Sequence, residues 1–415
     1  MIGLFVVSSS VGKQREIGKK LKRKISEVLK KEKVKVFDLL TTEKKVKMLK
    51  NLKDKISGCI ILVATGGTQR VIKEIVNNLK KPTLIWANPF NNSLASSLEA
   101  YSKLKDSKVK LVYSPTIKKF PEIISFIKIC ETIQKLKDSK IGCIGQPSKW
   151  KLTQKNKKAI KRLGPKVVEI SIKDLVKIMD KIKTKEVDKV LKKVKFGKIK
   201  VSEKDLKKAL RVYLAMKKLV LKYGLSAITI KCFDLLDYNC TACLGMSFCN
   251  DEGITAGCEA DLQATLTMLI VSLLTSKPCW MANVARIDKK KNTVTLVHCT
   301  IASKMISNLS NSTLLSHMES GKFVAIRGPL KKTEVTLVRL GGNLDKMLIA
   351  EGRIIRNTND PNLCRTQVEV KLKGRVEDFL SNSLGNHHIL TYGKLKEVLK
   401  DFCKFKGIEA IVIDD

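Results

Sequence analysis

The chain has 415 residues, a formal net charge of +42 and 44% hydrophobic residues. This length predicts two or three domains with an ample apolar core. No apolar run is long enough to span a bilayer, which argues against a membrane protein.

The large positive charge has two interpretations: a nucleic-acid-binding surface or a lysine-rich solvated surface. Lysines occur in almost every predicted helix of the first half, arginine is much rarer, and aromatic residues make up only 5%. Because arginine binds phosphates and bases better than lysine does, and because base stacking needs aromatic side chains, the solvated surface is favoured over specific nucleic-acid binding. Anionic substrates, such as sugar phosphates or sulfonates, remain compatible with the charge.

Residues 1–145 alternate between apolar, strand-like runs and amphipathic helical segments. The opening Met-Ile-Gly-Leu-Phe-Val-Val has no basic region before its short apolar stretch, so it predicts a first strand rather than a signal peptide, and we expect a cytoplasmic protein. The alternation is typical of an open parallel α/β sheet. Strands are predicted at 2–7, 34–39, 59–63, 83–86, 110–113 and 141–144, with helices around 13–31, 69–79, 94–104 and 122–137.

Residues 146–300 predict a second α/β domain, and residues 301–415 a different architecture. After about residue 300, segments of alternating polarity are separated or interrupted by glycines, which is typical of antiparallel strands in a small barrel or sandwich. The predicted fold is thus two Rossmann-like α/β layers with parallel sheets, followed by a small C-terminal antiparallel β-barrel. The second layer is predicted to hold a helix over 202–222, a strand at 227–233, a helix over 259–274 and a strand at 278–284; the barrel, strands at 323–327, 334–339, 347–356 and 367–372.

Three candidate ligands, Glu259, Asn283 and His298, lie at the edges of predicted elements. Glu259 is predicted in the first turn of the helix over 259–274, where the helix dipole favours a carboxylate. Val294, Leu296 and His298 share one face of a predicted strand, since side chains alternate along a strand. Taken singly, Glu259 is more simply a helix cap and His298 a hydrogen-bonded core residue.

Two of the four histidines, His387 and His388, are adjacent near the end of the chain. Neighbouring residues on a strand point to opposite faces, so at most one of them is expected to enter a shared site. A site built from a glutamate, a second oxygen ligand and a histidine suits Mn²⁺ or Mg²⁺ better than Zn²⁺.

The second half of the chain resembles the L-fucose isomerase and L-arabinose isomerase superfamily, in particular its divergent fucose-isomerase-like branch in archaea and bacteria. The first half matches only in architecture. The similar segments, in order, are Cys-Glu-Ala-Asp at 258–261, Trp-Met-Ala-Asn-Val at 280–284, Leu-Val-His-Cys at 296–299, Cys-Arg-Thr-Gln-Val-Glu at 364–369, Gly-Asn-His-His at 385–388 and the closing segment from 407.

The resemblance implies a divalent metal, usually Mn²⁺, bound by a glutamate, an aspartate and a histidine. These positions fall on Glu259, Asn283 and His387, and His298 would contact substrate hydroxyls. In the family the two carboxylates also move a proton between C1 and C2 of a sugar through an ene-diol, which interconverts an aldose and a ketose. Family sites lie at subunit interfaces, so a homo-oligomer, a trimer or hexamer, is implied.

Asn283 departs from the family pattern. An amide can offer its oxygen to a metal, but it cannot act as a general base, and it carries no charge to strengthen metal binding. Either Glu259 works with another acid, such as Asp261 or Asp251, or the reaction differs, or the chain is no longer catalytic. Asp261 would face away from Glu259 on an ideal helix.

Two alternatives therefore stand beside the isomerase. One is a non-catalytic or repurposed sugar- or metabolite-binding paralogue that lost the second acid. The other is a cysteine-based redox or cluster-binding protein, because several of the 12 cysteines crowd the middle of the chain. Only the pair Cys240 and Cys243 has Cys-x-x-Cys spacing, so reduced structural thiols are favoured.

Overall fold

A computed structural model describes residues 1–105, 108–146 and 154–414 of the chain. The chain forms two compact units. The first comprises Met1–Gln134 and Lys400–Gly407, and the second comprises Lys135–Leu399 and the end of the chain from residue 408.

The first unit holds a five-stranded parallel sheet in the order β2–β1–β3–β4–β5, which confirms the predicted open α/β sheet. All residues of β1 and β3 are buried, as expected for parallel strands that helices cover on both faces. The strands are β1 (Ile2–Val7), β2 (Val34–Val36), β3 (Gly58–Val63), β4 (Thr83–Ala87) and β5 (Val109–Tyr113). The helices are α1 (Gln14–Val28), α2 (Glu43–Lys47), α3 (Gln69–Leu79), α4 (Ser93–Ser102) and α5 (Pro121–Asp138).

The second unit opens with a four-stranded parallel sheet in the order β10–β9–β6–β7. The sequence pattern groups the strand at 141–144 with the first sheet, but this strand, β6, pairs with β7 and β9. The strands of this part are β6 (Lys140–Ile144), β7 (Lys166–Ile170), β8 (Lys198–Ile199), β9 (Ala227–Ile230) and β10 (Thr255–Gly257). The helices are α6 (Gln154–Leu163), α7 (Ile172–Asp180), α8 (Thr184–Leu191), α9 (Glu203–Tyr223), α10 (Cys243–Asp251) and α11 (Leu262–Thr275).

A closed six-stranded antiparallel barrel follows, in the order β15–β18–β11–β12–β17–β16 and back to β15. It confirms the predicted C-terminal barrel, and β19 extends it by pairing in parallel with β16. The strands are β11 (Trp280–Asp288), β12 (Thr293–His298), β13 (Thr313–Leu315), β14 (Ala325–Arg327), β15 (Glu334–Gly341), β16 (Lys346–Asn357), β17 (Thr366–Leu372), β18 (His387–Tyr392) and β19 (Glu409–Ile413). The helices are α12 (Val376–Ser381) and α13 (Lys396–Lys406), while β13, β14 and β8 form a small separate sheet.

Strands β11 and β12 belong to the barrel and not to the second α/β layer in which the pattern places residues 278–298. The apolar run at the start of β11 is similar to that of a buried parallel strand. Periodicity alone cannot distinguish a strand of the parallel sheet from a strand of the barrel. A short turn between Asp288 and Thr293 pairs β11 with β12 antiparallel, and this hairpin is part of the barrel wall.

Helix α11 connects the two layers of the second unit. It packs against β9 and β10 of the parallel sheet and against β15 and β18 of the barrel. Ten of its 14 residues are buried, which agrees with a helix that is apolar on most sides. The loop before this helix therefore lies where the parallel sheet meets the barrel.

Across the described residues, the structure contains no helix with both the length and the apolar character that a membrane span requires.

Candidate metal centre

Three side chains suited to metal binding converge beside the N-terminus of α11. Glu259 lies in the loop between β10 and α11, His298 is the last residue of β12, and His387 is the first residue of β18. One ligand atom from each lies within 4.8 Å of the others. Among the described residues, no other set of three His, Cys, Asp or Glu side chains meets this condition.

Glu259 lies outside the helix in which the sequence pattern places it. Helix α11 begins only at Leu262, with Asp261 as its N-cap. Glu259 and Ala260 have φ values of 56° and 51°, in the left-handed region that residues with a Cβ rarely adopt. Such strain persists only where the surrounding structure imposes it, and it is common at functional sites. The two left-handed residues make the chain turn before α11, which carries the Glu259 side chain toward the barrel strands.

His387 is fully buried and contacts two carboxylates. Its Nδ1 is 2.9 Å from Asp261 Oδ2, and its Nε2 is 3.6 Å from Glu259 Oε1. Nε2 has no hydrogen-bond partner among the described residues. A buried imidazole nitrogen without a hydrogen-bond partner, beside a carboxylate, is the arrangement expected of a metal ligand.

His388 does not enter the cluster, as expected from the alternation of side chains along a strand. Its ring packs against Phe379, with ring centroids 4.8 Å apart. Only His387 of the two adjacent histidines contacts the candidate centre.

His298 is buried, and its Nδ1 lies 2.9 Å from the Thr300 hydroxyl. This contact leaves Nε2 for the cluster, and the ring centroids of His298 and His387 are 5.6 Å apart. The predicted role of His298, contact with substrate hydroxyls, stays a prediction. Its imidazole lies among the candidate ligands.

Asp261 stands behind the cluster and not in it. Its Oδ2 accepts from Arg339 Nη1 at 3.0 Å as well as contacting His387, while its Oδ1 accepts the Ala264 backbone N–H at 2.9 Å. Asp261 and Arg339 are almost completely buried. The carboxylate thus orients the imidazole of His387 and caps the helix at once.

Asp251, the other acid considered as a partner of Glu259, is engaged elsewhere. Its carboxylate accepts from the backbone N–H and hydroxyl of Ser303 and from the backbone N–H of Lys304. Asp251 and Asp261 are both absent from the three-residue cluster.

The pKa values in the cluster follow from burial and from neighbouring charges. Burial alone would raise the pKa of Asp261, but Arg339 and His387 outweigh it and hold the pKa below its usual range. Burial, with a smaller contribution from the charge of His387, lowers the pKa of His298 to about 3. Burial also acts to lower the pKa of His387, but Asp261 and Glu259 outweigh burial and raise it. A metal that binds His387 would have to displace a proton from it.

Asn283 lies directly opposite His387 in the β11–β18 pair, so the two side chains leave the same face of the sheet. It is half-buried, and its Oδ1 accepts a hydrogen bond from Asn386 Nδ2 at 3.1 Å. The amide is therefore a neighbour of the cluster through His387, but it supplies no carboxylate.

The resemblance implies Glu259, Asn283 and His387 as ligands, and that set stays a prediction. The candidate donor set in the structure is one carboxylate and two imidazoles. Imidazole nitrogens favour transition metals, and this set is less suited to Mg²⁺ than an all-oxygen site. The residues present fit a divalent transition metal, because a buried Nε2 without a hydrogen-bond partner and a carboxylate face the same point.

A loop between β13 and β14 lies beside the cluster and was missed by sequence reasoning. Its buried His317 contacts Ser320 Oγ through Nδ1 at 3.2 Å and lies 4.0 Å from Glu319 Oε2 through Nε2. Burial raises the pKa of Glu319, and the charge of Glu259 raises it further. A single histidine followed by Met-Glu-Ser matches no recognisable motif, so only the fold identifies His317 and Glu319 as neighbours of the cluster.

The cysteines are free thiols, and every one except Cys364 is buried. Cys232 and Cys258 have sulfurs 3.2 Å apart, and Cys243, Cys299 and Cys364 share a small apolar cluster. Since no three cysteine sulfurs in the described ranges come within 4.8 Å of one another, a cysteine-bound cluster gains no support. Two of these buried thiols, Cys258 and Cys299, directly adjoin Glu259 and His298 in sequence.

Comparison with known proteins adds an independent observation. A sulfoquinovose isomerase from Priestia aryabhattai is 23% identical over 367 residues, covering 82% of this chain and 81% of that protein. A sulfoquinovose isomerase from Clostridium sp. (strain MSTE9) is 25% identical over 219 residues, covering 49% of this chain and 48% of that protein. These relatives support a sugar isomerase family.

No family model matches the chain. Among solved structures, D-lactate dehydrogenase from Escherichia coli covers 66% of this chain at 17% identity, but its TM-score of 0.18 is too low to support any inference about fold. The relationship to sugar isomerases therefore rests on the curated relatives, and the site rests on its own geometry.

Of the predicted site residues, the structure brings Glu259 and His387 together, adds His298 to them and places Asn283 beside His387. Asp261, Arg339 and His317 are the residues that sequence reasoning did not assign. Asp261 could not be assigned this role from the sequence, because its partner Arg339 lies 78 positions away.

Proposed function

We propose that the protein is a metal-dependent aldose–ketose isomerase of the L-fucose and L-arabinose isomerase-like superfamily, acting on a sugar derivative. The observation that carries this proposal is the convergence of Glu259, His298 and His387. It occurs in a chain whose relatives are sugar isomerases.

Glu259, His298 and His387 would hold the metal, which we propose to be Mn²⁺. When bound, a divalent cation would polarise the carbonyl and hydroxyl oxygens of the sugar and favour loss of the proton between them. Asp261 keeps His387 oriented with Nε2 toward Glu259 through its 2.9 Å contact with Nδ1. The closed barrel behind the cluster keeps these groups in place.

The proposed reaction moves hydrogen within one molecule and needs no external oxidant. A proton leaves C2 of the aldose, the C2–H electron pair forms a C1–C2 double bond, the C1–O1 π electrons move to O1, and O1 gains a proton from water. The resulting ene-diol then loses a proton from O2 and gains one at C1, which yields the ketose. Glu259, the only carboxylate of the cluster, is the proposed acceptor of the C2 proton.

Asn283 is proposed as a neutral neighbour that positions substrate or metal and transfers no proton. Its amide lacks the charge that a carboxylate would add opposite His387. The lack of a carboxylate at position 283 also favours the second candidate function, a non-catalytic sugar- or metabolite-binding protein that retains the pocket.

For the substrate we propose an aldose that carries an anionic group. The support is the name of the relatives, sulfoquinovose isomerase, together with the net charge of +42. Charges of this size attract anionic ligands through their long-range field. The proposed setting is a cytoplasmic homo-oligomer, a trimer or a hexamer, and light scattering of the purified protein measures its mass.

The first test is metal binding by calorimetry on metal-stripped protein, with Mn²⁺, Mg²⁺ and Zn²⁺ added separately. We expect Mn²⁺ to bind to the parent and to bind much more weakly to Glu259→Gln. The matched control is Glu377→Gln on α12, which changes the same group away from the cluster. If Mn²⁺ binds parent and Glu259→Gln equally, the proposed centre is wrong.

The second test is isomerisation of sulfoquinovose, L-fucose and L-arabinose with Mn²⁺, followed by nuclear magnetic resonance. Conversion of an aldose to its ketose by the parent supports the isomerase. If the parent binds a sugar but converts none, and Asn283→Asp creates the activity, the binding protein is the better description.

A further inference from the structure

The reaction proposed above requires protons to move at two carbons and two oxygens, yet the cluster offers one carboxylate. Asn283 cannot accept a proton at ordinary pH, and Asp251 and Asp261 are engaged by other residues. A second group that exchanges protons would have to come from residues beside the cluster.

His317 and Glu319 lie on the loop that packs against one side of the cluster. Met318, between them, packs against Cys299 in a small apolar group that also contains Cys243 and Cys364. Cys299 directly follows His298, so this packing holds the loop close to one of the three candidate ligands. Arg365 secures the same loop, because its Nε donates to the Ser316 carbonyl at 2.8 Å.

The opposite side of the cluster approaches the same loop. Cys258 directly precedes Glu259, and its sulfur is 3.2 Å from that of Cys232. Phe233, the residue after Cys232, contacts the His317 ring edge to face, with ring centroids 6.3 Å apart. His317 is therefore linked by short contacts to the neighbourhood of Glu259 on one side and of His298 on the other.

The chemistry of the pair suits proton exchange. His317 Nδ1 contacts the Ser320 hydroxyl, so that Nε2 lies toward Glu319, at 4.0 Å. Glu319 is half-exposed, which gives the pair a route to solvent, whereas the imidazole itself is buried. A buried imidazole held through Nδ1 keeps Nε2 for proton exchange, and Glu319 lies on the Nε2 side, where it can take up a proton from the imidazole.

We propose that His317, positioned by Ser320 and assisted by Glu319, is the second proton-transfer group of the site, in place of the carboxylate that Asn283 lacks. This inference rests on the proposed isomerase function. In the step assigned to it, His317 Nε2 accepts the proton from the O2 hydroxyl of the ene-diol as the O2–C2 carbonyl forms. The C1–C2 double-bond electrons take up the proton that Glu259 returns to C1, and Nε2 later passes its proton to Glu319 or water.

The experiment uses the full chain with Mn²⁺ and sulfoquinovose, with L-fucose as a second probe. In His317→Ala we expect kcat to fall by about 100-fold or more, which is the usual contribution of a general acid–base. Mn²⁺ affinity, measured by calorimetry, should change little, because His317 is outside the three-residue cluster. Added imidazole should restore part of kcat in His317→Ala, which a merely structural loss would not allow.

Glu319→Gln should lower kcat less than His317→Ala, and Glu377→Gln on α12 is its matched control. Circular dichroism of each variant verifies that it is folded, and His317→Gln serves as the second variant if His317→Ala does not fold.

The outcomes separate the two proposals. A parent that isomerises neither probe contradicts the proposed function. A parent that isomerises a probe, with His317→Ala or His317→Gln equally active, contradicts only the role of His317. Loss of kcat accompanied by loss of Mn²⁺ binding, without rescue by imidazole, also contradicts it and makes His317 a structural residue.

Discussion

The parallel sheet of the first unit and the candidate metal centre of the second differ in how far apart their contacting residues lie along the chain. In the first unit, β3 and β4 are neighbours in sequence and in the sheet, and so are β4 and β5, with one helix between each pair. In the metal centre, the Asp261–His387 contact joins residues 126 positions apart. The sheet follows from patterns within short windows, whereas the centre exists only when distant segments meet.

The two regions also differ in what their buried groups need. The sheet core is apolar, and any side chain of similar size and shape satisfies it approximately. The centre buries an ion pair and two imidazoles, each of which needs a particular partner in a particular place. Substitutions should therefore separate the regions: changes in the sheet should alter stability alone, and changes at the centre should alter metal binding.

The largest effect is expected for Asp261→Asn. Loss of the carboxylate leaves the buried guanidinium of Arg339 without its partner, which should reduce the free energy of unfolding by about 3–5 kcal/mol. Because His387 also loses its oriented contact, Mn²⁺ affinity should fall about 10–100-fold. Urea unfolding and calorimetry measure the two effects.

The double variant Asp261→Asn with Arg339→Met is the control, because it removes the unpaired charge as well. It should recover stability but not Mn²⁺ affinity. An Asp261→Asn protein that binds Mn²⁺ like the parent would contradict the assigned role of Asp261.

Ile61→Ala in β3 tests the other region. Ile61 is fully buried, so the cavity should lower the free energy of unfolding by about 2–5 kcal/mol. Since Ile61 belongs to the first unit, Mn²⁺ affinity of the folded protein should match that of the parent. A change in metal affinity would show that the two regions are coupled.

A smaller effect is expected from pH. Burial lowers the pKa of His298 and of His388 to about 3, well below about 6.5 for an exposed imidazole. Between these values the unfolded chain binds protons that the folded protein does not, so the metal-free protein should lose stability as the pH falls. His388→Gln should reduce this slope by about 1.4 kcal/mol per pH unit, measured by urea unfolding at several pH values.

Asp261 and His387 also make the free energy of unfolding depend on pH, and their contributions have opposite signs. Asp261 has a lowered pKa, so its contribution is present above the pKa of the unfolded chain and is lost only in strong acid. His387 has a raised pKa, so its contribution is complete below about 6.5 and is lost as the pH rises through its folded pKa. If the free energy of unfolding of His388→Gln changes with pH as steeply as that of the parent, the buried His388 ring is not neutral in the folded protein.

The smallest effect is expected for Thr300→Val, which removes a neutral hydroxyl from His298 Nδ1 with little change in shape. A neutral hydrogen bond contributes about 1 kcal/mol, so Mn²⁺ affinity should fall only about fivefold. Calorimetry with Mn²⁺ on Thr300→Val and on Asp261→Asn compares the loss of a neutral partner of His298 with the loss of a charged partner of His387. Equal losses in the two variants would mean that the charge of Asp261 adds nothing.

Much of the fold was predictable because burial leaves a periodic signature. The continuous apolar runs of β1 and β3 and the glycine-separated segments of β15–β17 predicted a parallel sheet and a barrel, and both are confirmed. The segment at 323–327, which was also predicted in the barrel, was misplaced, because it forms β14 of the small separate sheet. The helix expected over 202–222 is α9, which begins after a Ser202 cap and ends at a left-handed Gly224. The hairpin of β11 and β12 was misplaced, because a short apolar run does not reveal its pairing partner.

The candidate centre was predictable only in part. The resemblance assigned Glu259 and His387 to one metal site, and in the structure Glu259 Oε1 lies 3.6 Å from His387 Nε2. The left-handed turn that takes Glu259 out of α11 leaves no mark in its residue types, since neither Glu259 nor Ala260 is a glycine. The identity of the metal and the role of Asn283 stay predictions.

Local sequence patterns were enough to predict the two kinds of layer and most of the strands and helices, because alternation and apolar runs report which faces are buried. The support of His387 by Asp261, the convergence of His298 with Glu259 and the position of His317 near them became visible only in the folded chain. Such contacts depend on where the chain returns after tens of residues, and no local pattern of side chains encodes the partner that a buried charge will meet.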